Sequence, residues 1–191
     1  MILGMTHQPK PVRLTAETFV EWAMEQPSGR FELLRSEVVA MAPERVGHSR
    51  AKTAVLVAFQ TALAAAGLEC EAFADGMAVR IDASTVYEPD AMIRCGPRLS
   101  DDVVMLDDPV VVVEVISPSS QSIDTGTKLA DYFRLPSVVH YLVVQPATRR
   151  VIHYQRADGD RVVASLLGDD ATLALEPPGI ELGTAAFFAI P

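Results

Sequence analysis

Glu114 interrupts a run of valines, PVVVVEVI over residues 109–116, whose β-branched side chains suit a strand buried on both faces. A carboxylate in that setting needs a cation or a proton, because burying an unpaired charge is expensive. A second carboxylate, Asp90, stands behind Pro89 at the start of another expected strand, and Lys128 lies near the start of the helix that follows the strand of Glu114. If the two strands are neighbours, the carboxylates meet at one end of the sheet. Their repulsion then leaves one of them protonated unless a cation joins them. Mg²⁺ or Mn²⁺, hard ions that prefer oxygen ligands, would serve both. A lysine beside such an ion can orient or help deprotonate its water, or stabilise charge on a pentacovalent phosphate. Asp, Glu, Lys and a divalent cation are together the parts of hydrolytic phosphodiester cleavage. Each part alone is common, since Pro-Asp pairs occur in turns and helix surfaces carry many lysines, so the reading depends on their convergence.

The elements that must position these groups follow from periodicity and breakers. Residues 15–26 read as a short amphipathic helix with Thr15 as N-cap, ended by Pro27-Ser28-Gly29. Residues 30–42 read as a hairpin turning near Arg35-Ser36, with Glu32 in its first strand as either an outward-facing residue or a member of the site. Residues 47–66 give the longest helical pattern, closed by Gly67, and His48, Arg50 and Lys52 crowd its beginning. Cations there oppose the helix dipole unless an anion is near, and a phosphate would be such an anion. Strands are expected over about 70–82 and 88–94, linked by a hairpin connection. The aspartates Asp101, Asp102, Asp107 and Asp108 in the loop after them do not match the spacing of a calcium loop and read as solvated. Pro118 stops the valine-rich strand, a polar turn leads into a helix ending near Leu135, and Pro136 follows. Further strands are expected over 138–145 and 149–156, with a strand pair over 161–175 broken at Gly168-Asp169-Asp170. The apolar tail should pack back on the body. The order describes an α/β arrangement around one mixed sheet.

The 191 residues suit a single domain, 1–191, with a sizeable core. No apolar stretch is long enough to span a bilayer, and the N-terminus lacks the pattern of a signal peptide, which points to a cytoplasmic protein. Cys70 and Cys95 have no metal-type spacing and read as reduced thiols. The formal charge of −9 argues against a broad nucleic-acid surface, since phosphate neutralisation supplies most of that affinity. Nucleic-acid binding would need a local patch, a metal or a partner. Cationic spots exist at Arg45/Arg50/Lys52, at Arg94/Arg98 and at Arg149/Arg150/Arg156.

Pro89-Asp90, then Glu114-Val115-Ile116-Ser117-Pro118, then Asp124, Lys128 and Tyr132, form an order that resembles the PD-(D/E)XK nuclease superfamily, and more narrowly its Uma-type restriction endonuclease family. The similarity extends to Phe31-Glu32-Leu33, His48, the stretch from His140 to Pro146 and Pro178-Gly179-Ile180, and so covers nearly the whole chain. The resemblance implies a restriction-endonuclease-like core of helix, three strands, helix and strand, with an added N-terminal helix and hairpin and added C-terminal strands. It implies Mg²⁺ on Asp90 and Glu114, with Glu32 as an extra carboxylate. The superfamily's lysine two residues after the glutamate is replaced here by Ile116, and Lys128 on the next helix fits the relocated position. Two other departures are Arg35-Ser36 where the family often has Asp-Gly, and Gln145 where it often has an acid.

The leading expectation is a metal-dependent endonuclease acting on DNA, with His48 and Arg50 on the phosphate backbone and two subunits cutting the two strands. The alternatives are an inactive nuclease fold kept as a binding or assembly module, and a metal-dependent phosphodiesterase acting on small nucleotides, which an acidic surface would tolerate better.

Overall fold

The computed structural model describes residues 13–116, 124–159 and 161–189. Helix α1 (Ala16–Met24) starts at Thr15, whose hydroxyl accepts from the Thr18 N–H while the Thr18 hydroxyl accepts from the Thr15 N–H. That reciprocal cap satisfies two donors the helix leaves open. Strands β1 (Phe31–Leu34) and β2 (Glu37–Ala40) form the expected hairpin. Arg35 and Ser36 both have positive φ, 51° and 68°, the conformation that Asp-Gly or Asn-Gly adopts most readily. Helix α2 (Val46–Ala66) ends at Gly67 in the left-handed region. Then come β3 (Cys70–Ala74), β4 (Ala78–Asp82), β5 (Thr85–Tyr87), β6 (Ala91–Cys95), β7 (Met105–Leu106) and β8 (Val111–Val115). Helix α3 (Asp124–Tyr132), β9 (His140–Gln145), β10 (Arg150–Arg156), β11 (Val162–Leu167), β12 (Thr172–Leu175) and β13 (Ile180–Gly183) follow, with a 3₁₀ turn over Thr184–Phe188.

The central sheet is mixed and six-stranded, in the order β11-β10-β9-β8-β6-β3. Its one parallel pair, β8 with β9, is joined through α3, because parallel neighbours need a crossover. Side chains alternate. Val111, Val113 and Val115 of β8 face α2 and the small β12–β13 sheet, in a core that includes Phe59, Leu173 and Phe187. Val112 and Ile116 face the other way, with Tyr132 and Tyr141, and Glu114 is on that second face. The five-stranded sheet, β2-β1-β5-β4-β7, covers this face, and α1 packs Ala16 and Phe19 on its Leu33 and Val86.

Several expectations change in detail. The stretch 70–82 is two strands in different sheets, parted at Gly76, whose φ of 97° turns the chain out of the central sheet. Its hairpin connection contains a strand of its own, β5, and so two sheets share the strands read as one. β11 and β12 do not pair with each other: β11 joins β10 and β12 joins β13. The two cysteines are not reduced thiols but a Cys70–Cys95 disulfide. The antiparallel register of β3 and β6 sets them opposite each other, which spacing along the chain does not reveal. The tail does pack back, with Phe187 buried edge-on against Phe59. The polar turn after Ile116 and the side chain of Asp124 lie outside the described residues. Among the described residues, no helix is long and apolar enough to cross a membrane.

Candidate active site

The register of the central sheet brings the two carboxylates together. Ala91 pairs with Val113, and continuing that antiparallel register by one residue puts Asp90 across from Glu114. Pro89 starts the segment where its missing N–H matters least, and the Asp90 N–H donates to the Val113 carbonyl at 3.1 Å. Asp90 and Glu114 are both buried, at 5% and 7% exposure. They line one cavity of about 480 Å³ with Glu32, Glu44, Arg45, His48 and Lys128, walled on one side by residues 39–43.

Asp90 is well supplied with donors. Its Oδ2 accepts the Val115 N–H at 2.7 Å and faces His48 Nε2 at 3.4 Å, and its Oδ1 lies 3.2 Å from Lys52 Nζ. Burial pushes its carboxyl up, but His48, Lys52 and the Val115 N–H outweigh burial and hold it below the usual aspartate range. Lys52 is buried and also contacts Glu44 and Asp75. Arg30 continues the network to Glu44, Asp75 and Glu88, at 3.0 Å each.

Glu114 is supplied less well. Lys128 Nζ lies 3.1 Å from its Oε1 and 2.9 Å from Oε1 of Glu32, so two carboxylates share one ammonium. Tyr132, fully buried, donates its hydroxyl to Glu114 at 3.3 Å. Burial pushes the Glu114 carboxyl up to about 8, with Asp90 and Glu32 adding to the rise and Lys128 opposing it. Burial alone would lower the lysine, but Glu114 and Glu32 hold it well above its ordinary value. Glu32 also accepts the Glu88 N–H at 3.0 Å, which fixes β1 against the segment leading into Asp90.

Six carboxylates (Glu32, Glu44, Asp75, Glu88, Asp90 and Glu114) are thus linked to three permanent cations, Arg30, Lys52 and Lys128. Glu44, His48 and Asp90 each offer a ligand atom within 4.8 Å of the others. An excess of hard oxygen donors with one imidazole nitrogen fits a divalent cation.

Of the residues singled out from sequence, Asp90, Glu114, Lys128, Glu32 and His48 are brought to this cavity, whereas Arg50 is exposed and outside its lining. The anions at the start of α2 are the protein's own carboxylates on Lys52. The cationic spots are largely committed elsewhere: Arg94 to Asp108, Arg149 to Asp169, and Arg156 to the carbonyls of Phe133, Leu135 and Val138. Gln145 bonds Thr148 and takes no part in the site. Sequence reasoning left Lys52, Glu44, Asp75 and Arg30 out of the site. The signal for Lys52 was a lysine at helical spacing, one turn after His48, on a face otherwise apolar.

A mixed sheet with acidic residues at adjoining strand ends and a lysine from the crossover helix is a restriction-endonuclease-like architecture. A crystal structure described as a putative nuclease belonging to DUF820, from Anabaena variabilis, superposes with a TM-score of 0.72 over 92% of this chain and 97% of its own, at 12% identity. The Uma2 family model, described as "Putative restriction endonuclease", matches residues 16–185, and the chain belongs to that family. Two Synechocystis proteins, slr1290 and sll1609, are each 26% identical to it. The first match covers 89% of this chain and 88% of the relative, the second 84% and 91%.

Proposed function

We propose that the protein is a metal-dependent endonuclease that hydrolyses DNA phosphodiester bonds at the cavity holding Asp90, Glu114 and Lys128. The observation that carries this reading is the surplus of carboxylates over cations in that cavity, on opposed strand ends, with a buried ammonium 3.1 Å from Glu114. Asp90 and Glu114 would hold Mg²⁺ or Mn²⁺, with Glu32, Glu44 and His48 within the same lining. A bound divalent ion would supply Lewis acidity and an activated water. Lys128 then lies beside the metal carboxylate, placed to steady the attacking water or the phosphoryl charge, and Glu32 holds the lysine in place. Tyr132 orients Glu114 from the apolar side. Arg45, exposed at the cavity wall, is a better placed contact for the substrate backbone than Arg50.

The net charge of −9 and the internal use of most arginines favour a second reading, cleavage of small nucleotides rather than polymer. One experiment separates the two. Purified protein is incubated with supercoiled plasmid, with single- and double-stranded oligonucleotides, and with a dinucleotide, each with Mg²⁺, Mn²⁺ or EDTA. Glu114→Gln, Asp90→Asn and Lys128→Ala forms are run beside it. Metal-dependent nicking that falls by on the order of 10²-fold or more in all three variants supports the proposal. Cleavage of the dinucleotide alone supports the second reading. Nicking that persists in all three, or in EDTA, refutes both.

A further inference from the structure

The four edges of the two large sheets are treated very differently. β3, at one edge of the central sheet, carries a charge, Glu71, whose carboxylate accepts the Leu99 N–H from the loop after β6. β2 is four residues long and begins with Glu37, and β7 has two residues. Short, charged or covered edges are the usual protection against unwanted pairing. β11, the other edge of the central sheet, has none of these devices. Its six residues, VVASLL, include no charge, proline or glycine. Val162, Val163 and Leu166 are 40%, 55% and 63% exposed, and they point to both faces of the strand. Among the described residues, β10 is its only strand partner.

We infer that β11 is the contact of a symmetric dimer, pairing antiparallel with β11 of a second copy to join two six-stranded sheets. The partner is argued from self-complementarity. A two-fold axis perpendicular to the sheet leaves each face on its own side, so residues that meet across it must be an even number of positions apart. Centred on Ser165, that rule sets Val163 against Leu167 and Ala164 against Leu166, which is apolar on both faces. It also sets Arg161 of each copy against Asp169 of the other, in the Gly168-Asp169-Asp170 turn. Arg161 is exposed, with its guanidinium on the Asp158 carbonyl, and among the described residues Asp169 forms its ion pair with Arg149. Opposite charges therefore close both ends of an uncharged strand. The inference does not depend on the chemistry at the cavity.

Sedimentation of the full chain over a range of concentrations tests it directly. The wild type is expected at about twice the 20.6 kDa of one chain, dissociating on dilution. Leu166→Lys puts a charge on a side chain that is exposed in the monomer, so the fold should survive, as circular dichroism would verify. Leu166→Lys and Arg161→Asp should each weaken the dimer at least tenfold. Val57→Lys, on the exposed face of α2, should leave it unchanged. A wild type that stays monomeric at every concentration overturns the inference. So does a dimer indifferent to Leu166→Lys, or one broken by Val57→Lys instead.

Discussion

Asp90 and Glu114 stand on neighbouring strands, both buried and facing one cavity, yet the protein surrounds them in opposite ways. Three donors converge on Asp90: a backbone N–H, an imidazole and Lys52. Glu114 shares its single lysine with Glu32 and has two other carboxylates close by. One carboxyl is consequently held below its ordinary range and the other is pushed up to about 8. Burial pushes both carboxyls up, and the donors outweigh it on Asp90 but not on Glu114. The count of donors against nearby anions sets the difference. Asp90 is ringed by donors, whereas Glu114 divides the one lysine beside it with Glu32.

Neutralising each carboxylate in turn is the sharpest way to break that contrast. In chelator, the folded-state pKa of Glu114 is raised from 4.5 to about 8, so between those values the folded chain keeps a proton that the unfolded chain has lost. Stability due to this group therefore falls as pH rises through that window, by up to about 1.4 kcal/mol per pH unit. Asp90 has the opposite sign. Its folded-state pKa is depressed below 3.8, so it contributes stability at neutral pH that is lost as pH falls through the depressed value. Urea unfolding across the pH range should show Glu114→Gln flattening the decline toward pH 8 and becoming the more stable form there. Asp90→Asn should be less stable than wild type throughout the neutral range. If Glu114→Gln follows the wild-type slope, the asymmetry is absent.

The two buried lysines give the next largest effect. Lys52→Met removes the cation shared by Asp90, Glu44 and Asp75, and Asp90 is held ionised by its remaining donors. Breaking a buried ion cluster from one side costs about 3–5 kcal/mol. Lys128→Met takes the cation from Glu32, which keeps the Glu88 N–H, and from Glu114, which already favours its protonated form at neutral pH, so a smaller loss is expected, about 1–2 kcal/mol. Denaturant midpoints at pH 7 decide it. A Lys128→Met form as unstable as Lys52→Met would mean that Glu114 is ionised in the folded state and depends on its lysine.

Much of this was legible in the chain. A glutamate that follows four valines states its own electrostatic problem, the helix carrying Lys128 supplies the cation that meets it, and Pro89-Asp90 supplies the second carboxylate. The hairpin with Glu32, the cap at Thr15 and the stop at Gly67 follow from turn and helix rules that act within a few residues. What stayed hidden depends on pairing between distant segments. Lys52 looked like a cation at a helix start because Asp75 and Glu44, its partners, lie on a strand end and a loop that only the tertiary fold brings near. The disulfide between Cys70 and Cys95 needed the β3–β6 register. The split of the strands into two sheets turned on one residue, Gly76, whose positive φ cannot be read from its identity alone.

The smallest expected effect sharpens the contrast by leaving both of its halves alone. Arg35 and Ser36 occupy positive-φ positions, where side chains with a Cβ are strained and Asn-Gly is favoured. Replacing them together, Arg35→Asn with Ser36→Gly, should stabilise the chain by about 1 kcal/mol, seen as a rise in melting temperature. The turn lies at the far end of β1 from Arg30, and neither residue lines the cavity. Glu32 is held in place by the Glu88 N–H and Lys128 rather than by the turn. The pH dependence assigned to Glu114 should therefore be unchanged in this variant. A shifted pH profile would mean that the hairpin's conformation sets how closely Glu32 approaches Glu114, so that the sharing of Lys128 belongs to a movable strand rather than to the sheet.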